Sequence, residues 1–192
     1  MTKIAIIVGS TRPGRYSEGV ARWVLEQASP RDDATFELVD LADYPLPHLD
    51  EPIPASAGRY ENEHTRRWSQ AVAEYDGYIF VTPEYNHSTT GVLKNAIDYL
   101  YAEWANKAAG FVSYGVVGGS RAVEHLRLIA AELQLATVRG QVALSFFHDF
   151  ENFTTLKPEE RQHQALTELL DQLVAWSGAL APLRAARSPA SA

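Results

Sequence analysis

The sequence predicts an α/β fold, in which a doubly wound parallel sheet is covered by helices on both faces. Short apolar runs typical of strands alternate five times with longer segments of helical spacing. The first run, residues 4–8, is continuously apolar, as expected of a strand buried on both faces. The chain has 192 residues, of which 46% are hydrophobic, and this is enough for one domain with a sizeable core.

Each of the five βα units is predicted from its own apolar pattern. The strands are expected at residues 4–8, 36–41, 78–81, 110–117 and 138–146. The helices are expected at residues 20–28, 68–75, 92–103, 126–133 and 166–174, the last of them opened by Pro158. Units of this size predict right-handed crossovers. Five strands fit the flavodoxin-like order 2-1-3-4-5 better than a six-stranded dinucleotide fold.

The predicted domain is single and covers residues 1–182, and residues 183–192 are expected to form a flexible tail because they lack apolar periodicity. Residues 45–54 hold four prolines and are expected to be irregular. A loop of this kind either covers the surface or forms a wall near a substrate. Tyr99, Tyr101 and Trp104 are expected either to form a dimer face or to pack in the core.

Composition excludes several classes of protein. Lys and Arg total 17, Asp and Glu total 24, and the formal net charge of −7 disfavours nucleic acid or an anionic membrane as a partner. The chain has no cysteine, which rules out disulfides, thiolate metal sites and cysteine nucleophiles. Its six histidines show no paired ligand spacing, so we expect no metal. Without a signal peptide or a membrane span in the sequence, the expected location is the cytoplasm.

The loop after the first predicted strand has the residues of a phosphate site. Gly9 lets the backbone approach a ligand, Ser10 and Ser17 offer hydroxyl donors, and Arg12 and Arg15 offer charged donors. The helix that follows would point its N-terminal N–H groups at the same place. The loop lacks both the Lys-Ser/Thr of a P-loop and the glycines of a Rossmann turn. A single terminal phosphate needs neither device, although an ordinary polar turn remains an alternative.

The second loop is the most informative segment of the chain. Residues 83–98 (PEYNHSTTGVLKNAID) follow the apolar run at 77–82, with a proline to end the strand and helical spacing from Leu93 onward. Such a strand–loop–helix unit forms a ligand-binding edge in open α/β sheets. Lys94, Asn95 and Asp98 lie in the helix, where structural roles are expected, and Asn95 would tie the loop to the helix.

Three loops together resemble the NAD(P)H-dependent FMN reductase family, which includes quinone and azo reductases. The first loop resembles the family's Gly-Ser-x-Arg start. Residues 83–86 and 93–98 resemble the loop that lies against the flavin ring, and VSYG at 112–115 followed by GGSRA at 118–122 resembles the third loop. The resemblance implies a flavodoxin-like fold, bound FMN, NADH or NADPH as hydride donor, and a homodimer or dimer of dimers built through helices beside the flavin.

The resemblance also implies which residues bind the cofactor. The phosphate would be held by Ser10, Arg12, Arg15 and Ser17. The isoalloxazine ring would be lined, mainly through backbone groups, by Pro83, Glu84, Tyr85 and Asn86. Its other side would be closed by Ser113, Tyr114 and Gly115. The chain departs from the family's common pattern in having Thr90 where proline often precedes the glycine, and Ser17 where relatives often carry glycine.

The expected function is an FMN-dependent oxidoreductase that uses NAD(P)H to reduce a flavin, a quinone or a similar small acceptor by a ping-pong hydride mechanism. Flavin N5 would carry the chemistry, so no side chain is needed as acid or base. One alternative is a serine hydrolase, since Ser120 in GGSRA resembles a nucleophile elbow, with Asp149 and His163 following in triad order. Another alternative is an electron-carrier flavoprotein.

Overall fold

The computed structural model describes residues 1–186, so the last six residues of the predicted tail lie outside it. The main strands are β1 (Thr2–Val8), β2 (Ala34–Asp40), β3 (Gly77–Pro83), β4 (Ala108–Gly115) and β5 (Ala136–Ser145), followed by the short β6 (Phe150–Glu151) and β7 (Thr155–Leu156). The helices are α1 (Ser17–Ala28), α2 (Glu63–Ala73), α3 (Gly91–Asp98), α4 (Ser120–Glu132), α5 (Glu160–Ala179) and α6 (Ala181–Ala185). Short 3-10 turns lie at Leu41–Asp43 and Ala55–Ala57.

The five main strands form one parallel sheet in the order β2-β1-β3-β4-β5, which confirms the predicted topology. Strands β6 and β7 form a separate antiparallel hairpin after β5. Helices α2, α3 and α4 cover one face of the sheet, and α1 and α5 cover the other. Alternate residues of each strand contribute side chains to the two resulting cores, because successive side chains of a strand point to opposite faces of the sheet. Among the helices of residues 1–186, none has both the length and the apolar content to cross a bilayer.

The core on the α2–α4 face is rich in aromatic side chains. Trp104 packs against Tyr78 with ring centroids 4.9 Å apart, and its indole N–H donates to the Ile97 carbonyl at 3.1 Å. Tyr99 is also fully buried. Both residues therefore pack in the core of one chain and do not form a dimer face. Of the three aromatic residues considered for that role, Tyr101 alone is partly exposed.

Most element boundaries differ from the predicted ones by a few residues, and three of the differences concern the ends of helices. The third helix ends at Asp98, before its predicted end at 103, because the chain turns so that Tyr99 and Trp104 enter the core. The last helix begins at Glu160, two residues after Pro158. The start of the predicted tail is helical, since α6 continues to Ala185 and Arg184 donates to Asp76 at 2.8 Å.

The proline-rich segment, residues 45–54, is irregular but tied down. The Asn95 amide donates to the Pro47 carbonyl at 2.7 Å and accepts from the Leu49 N–H at 3.1 Å. The Tyr99 hydroxyl donates to the Asp50 carboxylate at 2.9 Å. Asn95 therefore ties the proline-rich segment to α3, which is a different loop from the one predicted. Burial acts to raise the pKa of Asp50, but hydrogen bonds from His64 and Tyr99 outweigh it and lower that pKa.

A buried lysine closes the amino-terminal edge of the sheet, on the side away from the three loops. Lys107 is 6% exposed, and its ammonium group donates to the Tyr78 hydroxyl at 2.8 Å and to the Val72 carbonyl at 3.1 Å, near the end of α2. A cation is favourable at a helix C-terminus. Burial nevertheless lowers the pKa of Lys107 from 10.5 to about 8, with nearby Arg184 acting in the same direction.

We expect this lysine to make stability rise with pH between about 8 and 10. In that window the unfolded chain keeps the Lys107 proton while the folded chain has lost it, so the unfolding free energy increases by up to ~1 kcal/mol per pH unit. Urea unfolding across this range should show a steeper rise for the wild type than for Lys107→Met. Equal slopes would contradict the assignment, and since only the difference between the two proteins is used, other titrating groups cancel.

Candidate cofactor site

The three loops predicted to bind a cofactor meet at the carboxyl edge of the sheet. Pro83 pairs with Tyr114 across β3 and β4, and the Glu84 N–H donates to the Tyr114 carbonyl at 3.2 Å. The Gly9 N–H donates to the Val81 carbonyl at 2.8 Å. Between the loops lies a cavity of about 290 Å³, close to the lower end for small-molecule sites. It is lined by Arg12, Gly14, Arg15, Tyr16, Pro83, Glu84, Tyr85, Tyr114, Gly115 and Phe146.

The first loop presents two arginines in different electrostatic states. Arg15 forms an ion pair with Asp40 and lies 3.8 Å from the Glu18 carboxylate, so its charge is largely compensated within the protein. Arg12 is exposed, and no ion pair to its guanidinium occurs within residues 1–186. The unpaired charge at the cavity is therefore that of Arg12. Ser10 is buried, and its hydroxyl lies 3.2 Å from the Tyr85 hydroxyl.

The second loop is held by a tight turn and a helix cap. Tyr85 and Ser88 exchange backbone hydrogen bonds of 2.9 and 3.1 Å, and Asn86 and His87 between them have φ of 49° and 73°. Two successive positive φ values define a type I′ turn, which asparagine tolerates well. The Thr90 hydroxyl donates to the Gly9 carbonyl at 2.5 Å and accepts from the Leu93 N–H at 3.1 Å. Thr90 therefore caps α3 and joins the second loop to the first, in place of the family's common proline.

The third loop depends on close backbone packing. The Ser113 hydroxyl is buried and donates to the Gly118 carbonyl at 2.6 Å, so this side chain stabilises the loop and does not line the cavity. Gly119 has φ of 73°, and a Cβ atom there would lie 2.7 Å from the Ser113 Cβ and 2.9 Å from the Tyr114 N. Glycine is therefore required at position 119 for both conformation and space.

An ion pair connects the second and third loops. The Glu84 side chain is 6% exposed and pairs with the guanidinium of Arg121, at the start of α4. The same carboxylate accepts from the Arg121 backbone N–H at 3.2 Å. It thus satisfies one of the free N–H groups of α4, whose N-cap residue, Gly119, has no side chain to do so.

Aromatic side chains form one wall of the cavity. Phe146 lies 5.7 Å from Tyr16 and 6.1 Å from Tyr114, measured between ring centroids, and Phe150 packs 4.9 Å behind it. Burial raises the pKa of Tyr114, so its hydroxyl stays protonated and available as a donor at neutral pH. Tyr16, Gly14 and Phe146 are cavity residues that the sequence reasoning missed. Their positions in the sequence could have indicated them, because Phe146 directly follows β5 and Tyr16 directly precedes α1.

The donor set of the cavity fits a phosphate-bearing ligand such as FMN. Helix α1 has no side-chain cap at its amino end, which leaves its first N–H groups available to an anion. The Arg15 Nε is buried and lacks a hydrogen-bond partner among the described residues. Buried polar atoms are almost always paired, so this donor favours a ligand beside the start of α1.

The structure places most of the predicted cofactor-binding residues around the cavity. Those that line it are Arg12, Arg15, Pro83, Glu84, Tyr85, Tyr114 and Gly115. Those that support it from outside the lining are Ser10, Ser17, Asn86 and Ser113. The proline-rich segment does not line it either, and it is held instead against α3 and the start of α2.

The arrangement needed for a serine hydrolase does not form. The Ser120 hydroxyl donates to the Val117 carbonyl at 3.1 Å. Asp149 is buried and accepts from the Ser145 N–H at 2.8 Å. His163 packs against Trp23 with ring centroids 5.5 Å apart. Within residues 1–186 none of the three forms a hydrogen bond with another of them, so the triad geometry is absent.

Comparison with known families identifies the chain. The model of the NADPH-dependent FMN reductase family matches residues 2–149. The chain belongs to this family. Its membership confirms the family, the oxidoreductase class and the FMN cofactor predicted from the three loops, all of which lie within the matched range.

Several members and structural relatives of the FMN reductases are similar to this chain. An NAD(P)H-dependent FMN reductase of Nectria sp is 47% identical over 128 residues, which is 64% of each chain and so slightly less than two thirds of the Nectria protein. A 2-hydroxy-1,4-benzoquinone reductase of Burkholderia sp is 31% identical, covering 91% of this chain and 95% of its own. The flavoenzyme FerB of Paracoccus denitrificans has a similar fold, with a TM-score of 0.73 at 22% identity, covering 93% of this chain and 98% of FerB.

Proposed function

We propose that the protein is an FMN-dependent NAD(P)H oxidoreductase that reduces a small acceptor such as a quinone, a free flavin or an azo compound. The observation that carries the proposal is the convergence of three loops on one cavity that has a free arginine and a bare helix N-terminus at one end. The Burkholderia relative is named for a benzoquinone, which supports quinones among the candidate acceptors. Bound FMN would supply the two-electron chemistry, between hydride donor and acceptor.

The protein's own residues bind and orient the cofactor. Arg12 and the first N–H groups of α1 would hold the phosphate, with the Ser17 hydroxyl and the Arg15 Nε as further donors. Pro83 and Tyr85 would line one side of the ring. Tyr114, as a neutral hydroxyl donor, would lie on the other side. No side chain needs to move a proton in this arrangement, because the residues position and desolvate the ring.

We infer that donor and acceptor share the one cavity and bind alternately. The aromatic residues Tyr16, Tyr114 and Phe146 form one wall of the cavity, which supports one shared entrance for both substrates. We therefore expect parallel double-reciprocal lines when NAD(P)H is varied at several fixed concentrations of a quinone. Steady-state absorbance at the NAD(P)H band measures this directly.

Intersecting lines would mean that both substrates bind together, and the shared entrance would be wrong. Ser120→Ala is the control, since it removes the alternative hydrolase nucleophile and should leave turnover within about twofold of the wild type. A colourless protein that ignores added FMN but cleaves an ester, and loses that cleavage in Ser120→Ala, would overturn the proposed function itself.

We also propose a homodimer or a dimer of dimers, located in the cytoplasm as the sequence predicts. A mostly apolar groove of about 520 Å³ runs between the start of α3 and α4, beside the second loop. Leu128 on its wall is 74% exposed, which supports a protein partner there. A second copy of the chain is the expected partner, through the helices beside the cofactor.

A further inference from the structure

Glu84 has an unusual position for a carboxylate. Of the residues that line the cavity it is the one acid, and two arginines, Arg12 and Arg15, share the cavity with it. Its side chain is 6% exposed, so water screens its charge poorly. An unpaired carboxylate here would disfavour both a phosphate-bearing ligand and the extra negative charge that such a ligand gains on reduction.

Arg121 supplies the compensating charge from outside the cavity lining. Its guanidinium Nε donates to Glu84 at 2.5 Å, and a second guanidinium nitrogen forms the ion pair. The Arg121 side chain is 45% exposed, in contrast to the buried carboxylate. Replacing the Arg121 side chain would therefore leave the buried carboxylate with a backbone N–H donor but without its cation, whereas replacing Glu84 would leave a charge that water can solvate.

We propose that Arg121 is a positioning residue that sets the relative affinity of the protein for reduced and oxidised FMN. It does so by neutralising Glu84 and by holding the second and third loops together at the cavity. This inference rests on the proposed function, since it concerns FMN in the same cavity. The contact joins residues 37 positions apart, one in the second loop and one in the GGSRA segment, and neither motif by itself indicates the pairing.

The test is a set of charge-neutral variants: Arg121→Gln, Glu84→Gln, and both together. The readout is the midpoint potential of bound FMN together with the dissociation constant of oxidised FMN. We expect Arg121→Gln to weaken binding of reduced FMN on the order of tenfold more than binding of oxidised FMN, because the buried carboxylate is then uncompensated. Glu84→Gln should shift the ratio of the affinities for reduced and oxidised FMN in the opposite direction, and by a smaller factor. The double variant should return it close to the wild-type ratio.

A merely structural pair would behave differently. Loosened loops would weaken both forms of FMN equally, the potential would not move, and the inference would be wrong. Arg121→Lys keeps the charge but loses the bidentate geometry, so it should restore the potential even where affinity stays reduced. If wild-type protein binds no FMN, the proposed function fails; if it binds FMN and the variants show no opposite shifts, only this inference fails.

Discussion

Replacing Gly119 by alanine should destabilise the protein by about 2–5 kcal/mol and abolish tight FMN binding. Two costs add at this position. A residue other than glycine with φ near 73° costs the folded state about 1–2 kcal/mol, and a Cβ forced to 2.7 Å from the Ser113 Cβ costs a further 1–3 kcal/mol or so. Relief of the clash would displace the backbone of Ser113 and Tyr114, and with it one wall of the cavity. Urea unfolding of the apoprotein and FMN titration measure the two effects.

Gly178→Ala is the matched control for this substitution. Gly178 lies within α5, and a Cβ atom there would have no contact within 4 Å beyond its chain neighbours and the adjacent backbone of its own helix. Alanine should therefore stabilise the helix by roughly 0.5–1 kcal/mol and leave FMN binding unchanged. A Gly119→Ala protein as stable as the wild type would show that the third loop tolerates a side chain, and the steric account would fail.

Replacing Arg12 by alanine should weaken FMN binding about 10- to 150-fold and leave riboflavin binding almost unchanged. A charge-assisted hydrogen bond to phosphate is worth about 1.5–3 kcal/mol, and riboflavin has no phosphate to receive it. Quenching of flavin fluorescence, with the visible spectrum of the bound form, measures both ligands. Arg15→Ala should have a smaller specific effect, because Arg15 is already paired with Asp40.

Arg22→Ala provides the control for net charge. Arg22 is an exposed residue of α1 that pairs with Glu18, and it does not line the cavity. Its loss changes the total charge by the same amount as the loss of Arg12, so FMN affinity should stay within about twofold. Equal losses of FMN and riboflavin in Arg12→Ala would show that Arg12 supports the loop and not the phosphate.

The sheet and the three loops could be predicted because each strand and each loop is determined by a contiguous run of residues. The run at residues 4–8 is apolar throughout since β1 is buried on both faces, and Pro83 marks the end of β3. The loops follow directly from these strands, so their residues were found together with the fold. Arg12, Tyr85 and Tyr114 were accordingly placed at the cavity.

The features of the site that could not be predicted depend on contacts between residues distant in the sequence. Nothing local distinguishes Arg121 as the partner of Glu84, or Asp40 as the partner that occupies Arg15. Ser113 and Tyr114 are neighbours in the same loop, yet β-strand alternation turns only Tyr114 to the cavity. For Trp104 the sequence left a dimer face and a core position open, and only the turn of the chain after α3, which brings Trp104 into the core, decides between them.

Thr90 has an evolutionary consequence. A proline at this position would rigidify the second loop by itself, whereas a hydroxyl that reaches the Gly9 carbonyl makes the two loops depend on each other. Substitutions in the phosphate loop and around position 90 should therefore be epistatic in this chain.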